Sequence, residues 1–246
     1  MQSWVHYLPI ATTLMASVFA VVLFHRWLER GGLHLVWWGL GAVAFAAGTL
    51  TESLTTLLGW HEGVFRAWYI TGALLGGAPL AQGSVYLHLP RRVAHVLTVV
   101  LVATIVVASV FVMRSPIDAA LVEPFRLSGK VLSWHWVRLF SPFLNTYAFV
   151  FLVGGAIVSA VRFARRRETR HRFVGNVYIA IGALLPGVGG TFTRFGHVEV
   201  LYVTEFVGLA LIIVGYRYNT AGGLRQRSAA QAGVARVSAA GAPSRA

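Results

Sequence analysis

The 246 residues are 57% hydrophobic and only 12% Asp, Glu, Lys or Arg, about half the charged share of a soluble domain, which excludes an ordinary water-facing surface. The absence of cysteine excludes disulfides, thiolate metal centres and cysteine nucleophiles. A net charge of +13 would suit a nucleic-acid binder only if it formed a patch on a soluble face, and its distribution along the chain is of another kind.

Apolar stretches near the length a helix needs to cross a bilayer, about 20 residues, are centred on 7–24, 35–50, 64–89, 93–113, 143–161, 173–192 and 200–216. Backbone groups in lipid must bond within their own segment, so the expected elements are seven transmembrane helices. No Lys or Arg precedes the first stretch, while His25, Arg26 and Arg30 follow it. That is the reverse of a cleaved signal peptide, and it holds the following loop in the cytoplasm. The second stretch ends in Gly48-Thr49-Leu50-Thr51-Glu52. The third begins near Arg66, carries Gly72 and Gly76 at GxxxG spacing, and contains Pro79, which would leave the Leu75 carbonyl without its helical donor.

After the fourth stretch comes a long outer loop. Its part 126–140 alternates apolar and basic residues around Trp134 and Trp136 and reads either as an interfacial helix or as a plain linker. The fifth stretch carries Gly155 and Ser159, and an arginine run over 162–172 follows it. The sixth carries Ala183 and Gly187, then Pro186 beside glycines, and ends Gly190-Thr191-Phe192-Thr193-Arg194. The seventh opens on Tyr202-Val203-Thr204 and holds Glu205. Residues 1–218 are therefore expected to form one seven-helix domain, and 219–246 a disordered, basic cytoplasmic tail.

With the N-terminus outside and the C-terminus in the cytoplasm, fifteen of the 21 basic residues fall on the inner side, against two of the eight acids. The whole net charge then lies inside, which is the positive-inside bias. It predicts a cell (inner) membrane protein whose inner loops meet anionic inner-leaflet lipids, with no role for nucleic acid. The ends of helices 2 and 6, and the starts of helices 3 and 7, share short motifs. A parallel repeat of three helices, a linker helix and three more would produce them, and so would the Gly, Thr and Val bias of membrane chains.

Ionisable groups within spans cost about 2.5–3.5 kcal/mol on insertion scales and are functional candidates by default. Here they form one layer near the outer surface: Glu52, Arg66, Arg194 and Glu205. They are the expected lining of a ligand pocket opening outwards, with Glu205, the deepest acid, as a candidate proton site. His61, His197 and Glu199 are the nearest approach to a metal set, but their spacing matches no zinc motif, and exposed loop histidines are the plainer reading. No cofactor is expected. Retinal needs a lysine deep in the bundle, and Lys130 lies in the outer loop; haem needs facing histidines within the spans. No nucleophile, kinase or phosphate-loop motif points to an enzyme.

The expected function is a small-molecule carrier, in which proton coupling would run through Glu205. The alternative is a heptahelical sensor or accessory subunit that binds a ligand or partner on the outer face. A second copy of the chain or another protein remains open as a partner in assembly.

Overall fold

The structure, a computed structural model, describes residues 4–164, 170–193 and 195–240, the side chains of 221–240 excepted. The described residues are almost entirely helical, with no strand beyond two isolated bridges, Ile117 with Leu132 and Glu123 with Arg126. The helices are α1 (Leu8–Arg30), α2 (Leu33–Leu58), α3 (Glu62–Trp68), α4 (Ala78–His88), α5 (Arg91–Arg114), α6 (Phe140–Ala148), α7 (Gly154–Ala164), α8 (Arg170–Thr193) and α9 (Val198–Ala240). Six helical segments are long and apolar enough to cross a membrane: Trp4–Arg30, Leu33–Leu58, Arg91–Arg114, His135–Ala164, Arg170–Thr193 and Val198–Thr220. This is a multi-pass membrane architecture.

The helices outrun the apolar cores that foretold them. α1 continues through His25, Arg26 and Arg30, and stops at Gly31, whose φ of 67° suits glycine and few other residues. At the far end of the chain, α9 runs past the expected limit of the apolar span to Ala240, through a segment rich in alanine, the best helix former.

The third expected span is the one that is interrupted. α3 widens into a π-helical turn over Tyr69–Leu74, closed by the Leu75 N–H donating to the Ile70 carbonyl at 3.0 Å. The chain turns at 75–77 and resumes as α4. Pro79 therefore stands in the first turn of a new helix, where its missing N–H costs little, and not in the middle of an old one. A second π-helical turn, Phe149–Val153, joins α6 to α7 within one span. Pro186, by contrast, lies inside an unbroken α8.

The helices form a ring. α1 packs on α2, α2 on the α3–α4 segment, that segment on α6–α7, α7 on α8, α8 on α9, and α9 back on α1. α5 stands outside the ring, against the α3–α4 segment and the turn His135–Leu139. Without a hydrophobic force between helices in lipid, close approach must come from small residues. The α8–α9 contact shows this most clearly. Gly175, Gly182 and Gly189 recur every seven residues on α8, opposite Gly215, Gly208 and Leu201 of α9. A Cβ on any of the three would fall within 2.0–2.7 Å of α9 atoms. Gly187, singled out in the sequence for its spacing from Ala183, has nothing within 4 Å of the same position.

The long loop between α5 and α6 is neither a surface helix nor a plain linker. It makes short 3-10 turns at Ala119–Leu121, Gly129–Val131 and His135–Leu139. Val131, Leu132 and Val137 are buried in one core with Phe65, Tyr69, Leu101, Val112 and Leu144. The alternation that suggested an interfacial helix instead sends apolar residues down between helices.

Candidate functional site

The last two turns of α2 read TLTESLTT, and Thr49, Thr51, Glu52, Ser53, Thr55 and Thr56 are all buried. Hydroxyls in such a place can be satisfied by their own helix. Ser53 donates to the Thr49 carbonyl at 2.8 Å and Thr55 to the Thr51 carbonyl at 2.9 Å, while the Thr49 hydroxyl also meets Thr13 of α1 at 2.9 Å. A carboxyl group has no such local remedy. Glu52, only 4% exposed, must find its partners on other helices.

It finds two. The indole N–H of Trp68, at the end of α3, donates to Glu52 Oε1 at 3.0 Å. The carboxyl group of Glu205, on α9, lies within hydrogen-bonding contact of the Glu52 carboxyl. Oε2 of each acid is buried and receives no hydrogen bond from any described group. Ionised carboxylates are acceptors only, so two of them attract only through something placed between them.

Around this pair stand groups from the same end of the ring. Tyr202, one turn before Glu205, is buried and turns its hydroxyl to Thr56. Its ring meets His6 edge to face at 6.0 Å, and His6 Nε2 lies 3.6 Å from Glu199 Oε1. Gly189 of α8 lets the Thr204 side chain and the backbone of Leu201 come close, which brings the start of α9 tightly against the end of α8.

The remaining members of the charged layer lie as follows. Arg66, 9% exposed, directs Nε and a terminal nitrogen to Glu62 Oε1 at 2.9 and 2.7 Å. It also donates to the Val112 carbonyl and, at 2.9 Å, to the Ser115 carbonyl. These are the open carbonyls at the C-terminus of α5, where a cation is favoured by both hydrogen bonding and the helix dipole. Arg66 thus clasps the outlying helix, and the structure gives it no contact with the acid pair. Arg194 lies outside the described residues. His61 caps α3, its Nδ1 accepting from the Gly63 N–H at 3.1 Å, Glu199 faces His6, and His197 sits in the turn before α9. Among the described residues no three of His, Asp or Glu gather as a metal needs.

Four participants escaped the sequence reading. Trp68 carries no signal of its own, being one aromatic among many. Thr49 and Thr56 belong to a polar run whose burial only the fold reveals. Arg126, counted as an outer-loop charge, reaches across the loop to donate to the Thr193 carbonyl at 2.7 Å, closing the end of α8.

Comparison with known proteins returns no matching family model, no matching characterised relative and no matching solved structure.

Proposed function

We propose that the chain is a seven-span carrier of a small polar molecule, N-terminus outside and C-terminus in the cytoplasm, whose Glu52–Glu205 pair is the site that takes up a proton or cation during transport. The observation that carries this reading is the contact of two buried carboxyl groups across α2 and α9, each with an oxygen that no described group satisfies. Two like charges cannot both stand at that separation in a dry place, so the pair is complete only with a bound proton or cation. The α3–α4 span counts as the seventh crossing, since its pieces together run from Glu62 to His88, and the inner-side excess of arginine supports the orientation. Arg194, which follows the last residue of α8, completes the ligand set in this reading, and Arg66 fixes the rim. The π-helical turn Tyr69–Leu74, which follows Trp68 directly, fits it too, because such turns are frequent at functional sites.

The test uses the protein in vesicles loaded with a pH-sensitive dye. Small carboxylates, amines and sugars are added outside in turn. A proton-coupled carrier shifts the lumenal pH with one of these classes, and Glu205→Gln abolishes the shift without lowering the melting temperature. A compound that changes Trp68 emission, recognised by its loss in Trp68→Phe, yet moves neither protons nor itself would replace the carrier by a sensor or accessory subunit.

A further inference from the structure

We infer that the groove between α5 and the broken third span is a binding site for one anionic phospholipid of the leaflet on the N-terminal side. The groove has a volume of about 500 Å³, and its walls include Ile70 and Leu75 from the third span and Ile105, Ser109 and Met113 from α5, with Arg114 at its end. Its origin is local. Ile70 and Leu75 are the two residues joined by the π-type hydrogen bond, so the wide turn itself supplies that wall and holds it off α5. α5 has no other helix to lean on along this side, because it stands outside the ring.

Three features choose the occupant. From Ile105 to Arg114 the groove runs about 14 Å by the helical rise, close to half of the roughly 30 Å hydrocarbon thickness, which is the reach of one acyl chain in one leaflet. The walls are apolar except for Ser109, whose hydroxyl makes no hydrogen bond among the described residues and faces the depth of the chain. Arg114, at the head-group end, is exposed and has no carboxylate or carbonyl partner among the described residues, in contrast to Arg66 and Arg126. An apolar slot one leaflet deep with a free guanidinium at its mouth complements an acyl chain joined to a phosphate. Glu62, which lies beside the C-terminal end of α5 through Arg66, is already held by Arg66.

The experiment reads lipid retention. The full chain is purified in mild detergent with equimolar phosphatidylglycerol and phosphatidylcholine, and bound lipid is weighed by native mass spectrometry. The wild type keeps one phosphatidylglycerol, in about fivefold preference, the effect of one basic group at head-group level. Arg114→Gln brings the two lipids to equal retention, and Ser109→Trp, which fills the slot, removes both. Arg138→Gln, at an arginine that does not line the groove, keeps the wild-type ratio. The inference is overturned if Arg114→Gln leaves the ratio unchanged, if Ser109→Trp leaves the lipid bound, if Arg138→Gln erases the preference equally, or if the retained mass is a free fatty acid. None of these outcomes depends on whether the chain transports anything.

Discussion

Gly182 and Gly208 face each other so closely that a Cβ on Gly182 would lie 2.5 Å from the Gly208 carbonyl oxygen, and one on Gly208 would lie 2.6 Å from that of Gly182. Backbone meets backbone here, with no flexible side chain to yield.

Gly182→Ala therefore has to push α8 off α9. It should lower stability by about 1–3 kcal/mol, as overpacking does, visible as an earlier thermal transition in detergent. Gly187→Ala is the matched control. Open space surrounds that position, and alanine is the better helix former by up to about 1 kcal/mol, so its melting temperature should hold or rise. Equal destabilisation of both variants would show that the seven-residue glycine ladder is not the contact that matters.

The Arg66 clasp should be asymmetric. Arg66→Met leaves the Val112 and Ser115 carbonyls and Glu62 without their donor and should cost about 3 kcal/mol. Glu62→Gln removes only the exposed partner and should cost under about 1 kcal/mol. Limited proteolysis would separate the two, because the released end of α5 frees the loop over 115–134, and only Arg66→Met should speed its cutting.

On the opposite half of the bundle, fully buried Gln82 donates to the Ala94 carbonyl at 3.0 Å and to Thr98 at 2.7 Å, and accepts from the Tyr147 hydroxyl. This ties α4, α5 and α6 together. Tyr147→Phe strands the Gln82 amide oxygen and should cost about 1–3 kcal/mol. Gln82→Met removes the acceptor of that contact, so adding Tyr147→Phe to it should cost clearly less than it does alone. Additive losses by thermal denaturation would mean that the bond contributes nothing.

Topology can be read without background, because the chain has no cysteine. Ser128→Cys in intact cells should react with an impermeant maleimide added outside, and Ser159→Cys, near the other end of its span, should not. Reversed labelling would turn the whole orientation over and move the acid pair to the cytoplasmic half.

The helices were legible because lipid imposes a long apolar run on each span, and this is a local property. The acid layer was legible for the same reason, since Glu52 and Glu205 stand out against what surrounds them. What each charge faces is a different matter. Arg66 and Glu52 lie on neighbouring spans near the same surface, and only the rotation of α3 decides that Trp68 turns to Glu52 while Arg66 turns to α5. The loop between α5 and α6 misled because alternation of apolar and basic residues describes a chain over lipid as well as a chain over protein, and burial of Val131 and Leu132 distinguishes the two. Four-residue spacing does not expose the glycine ladder, because α8 and α9 meet at every seventh residue.

The closed ring sets an order of manufacture. α1 and α2 leave the ribosome before α9, which α1 must meet to shut the ring. Until then Glu52 waits in the membrane without the carboxyl it will finally face, beside a gap where lipid can enter. An unfinished chain, or one whose final hairpin fails to dock, thus displays to the bilayer an acid that the finished molecule conceals. Membrane proteases and insertion factors that survey spans for stray polar groups would have a mark by which to tell apprentice from completed product.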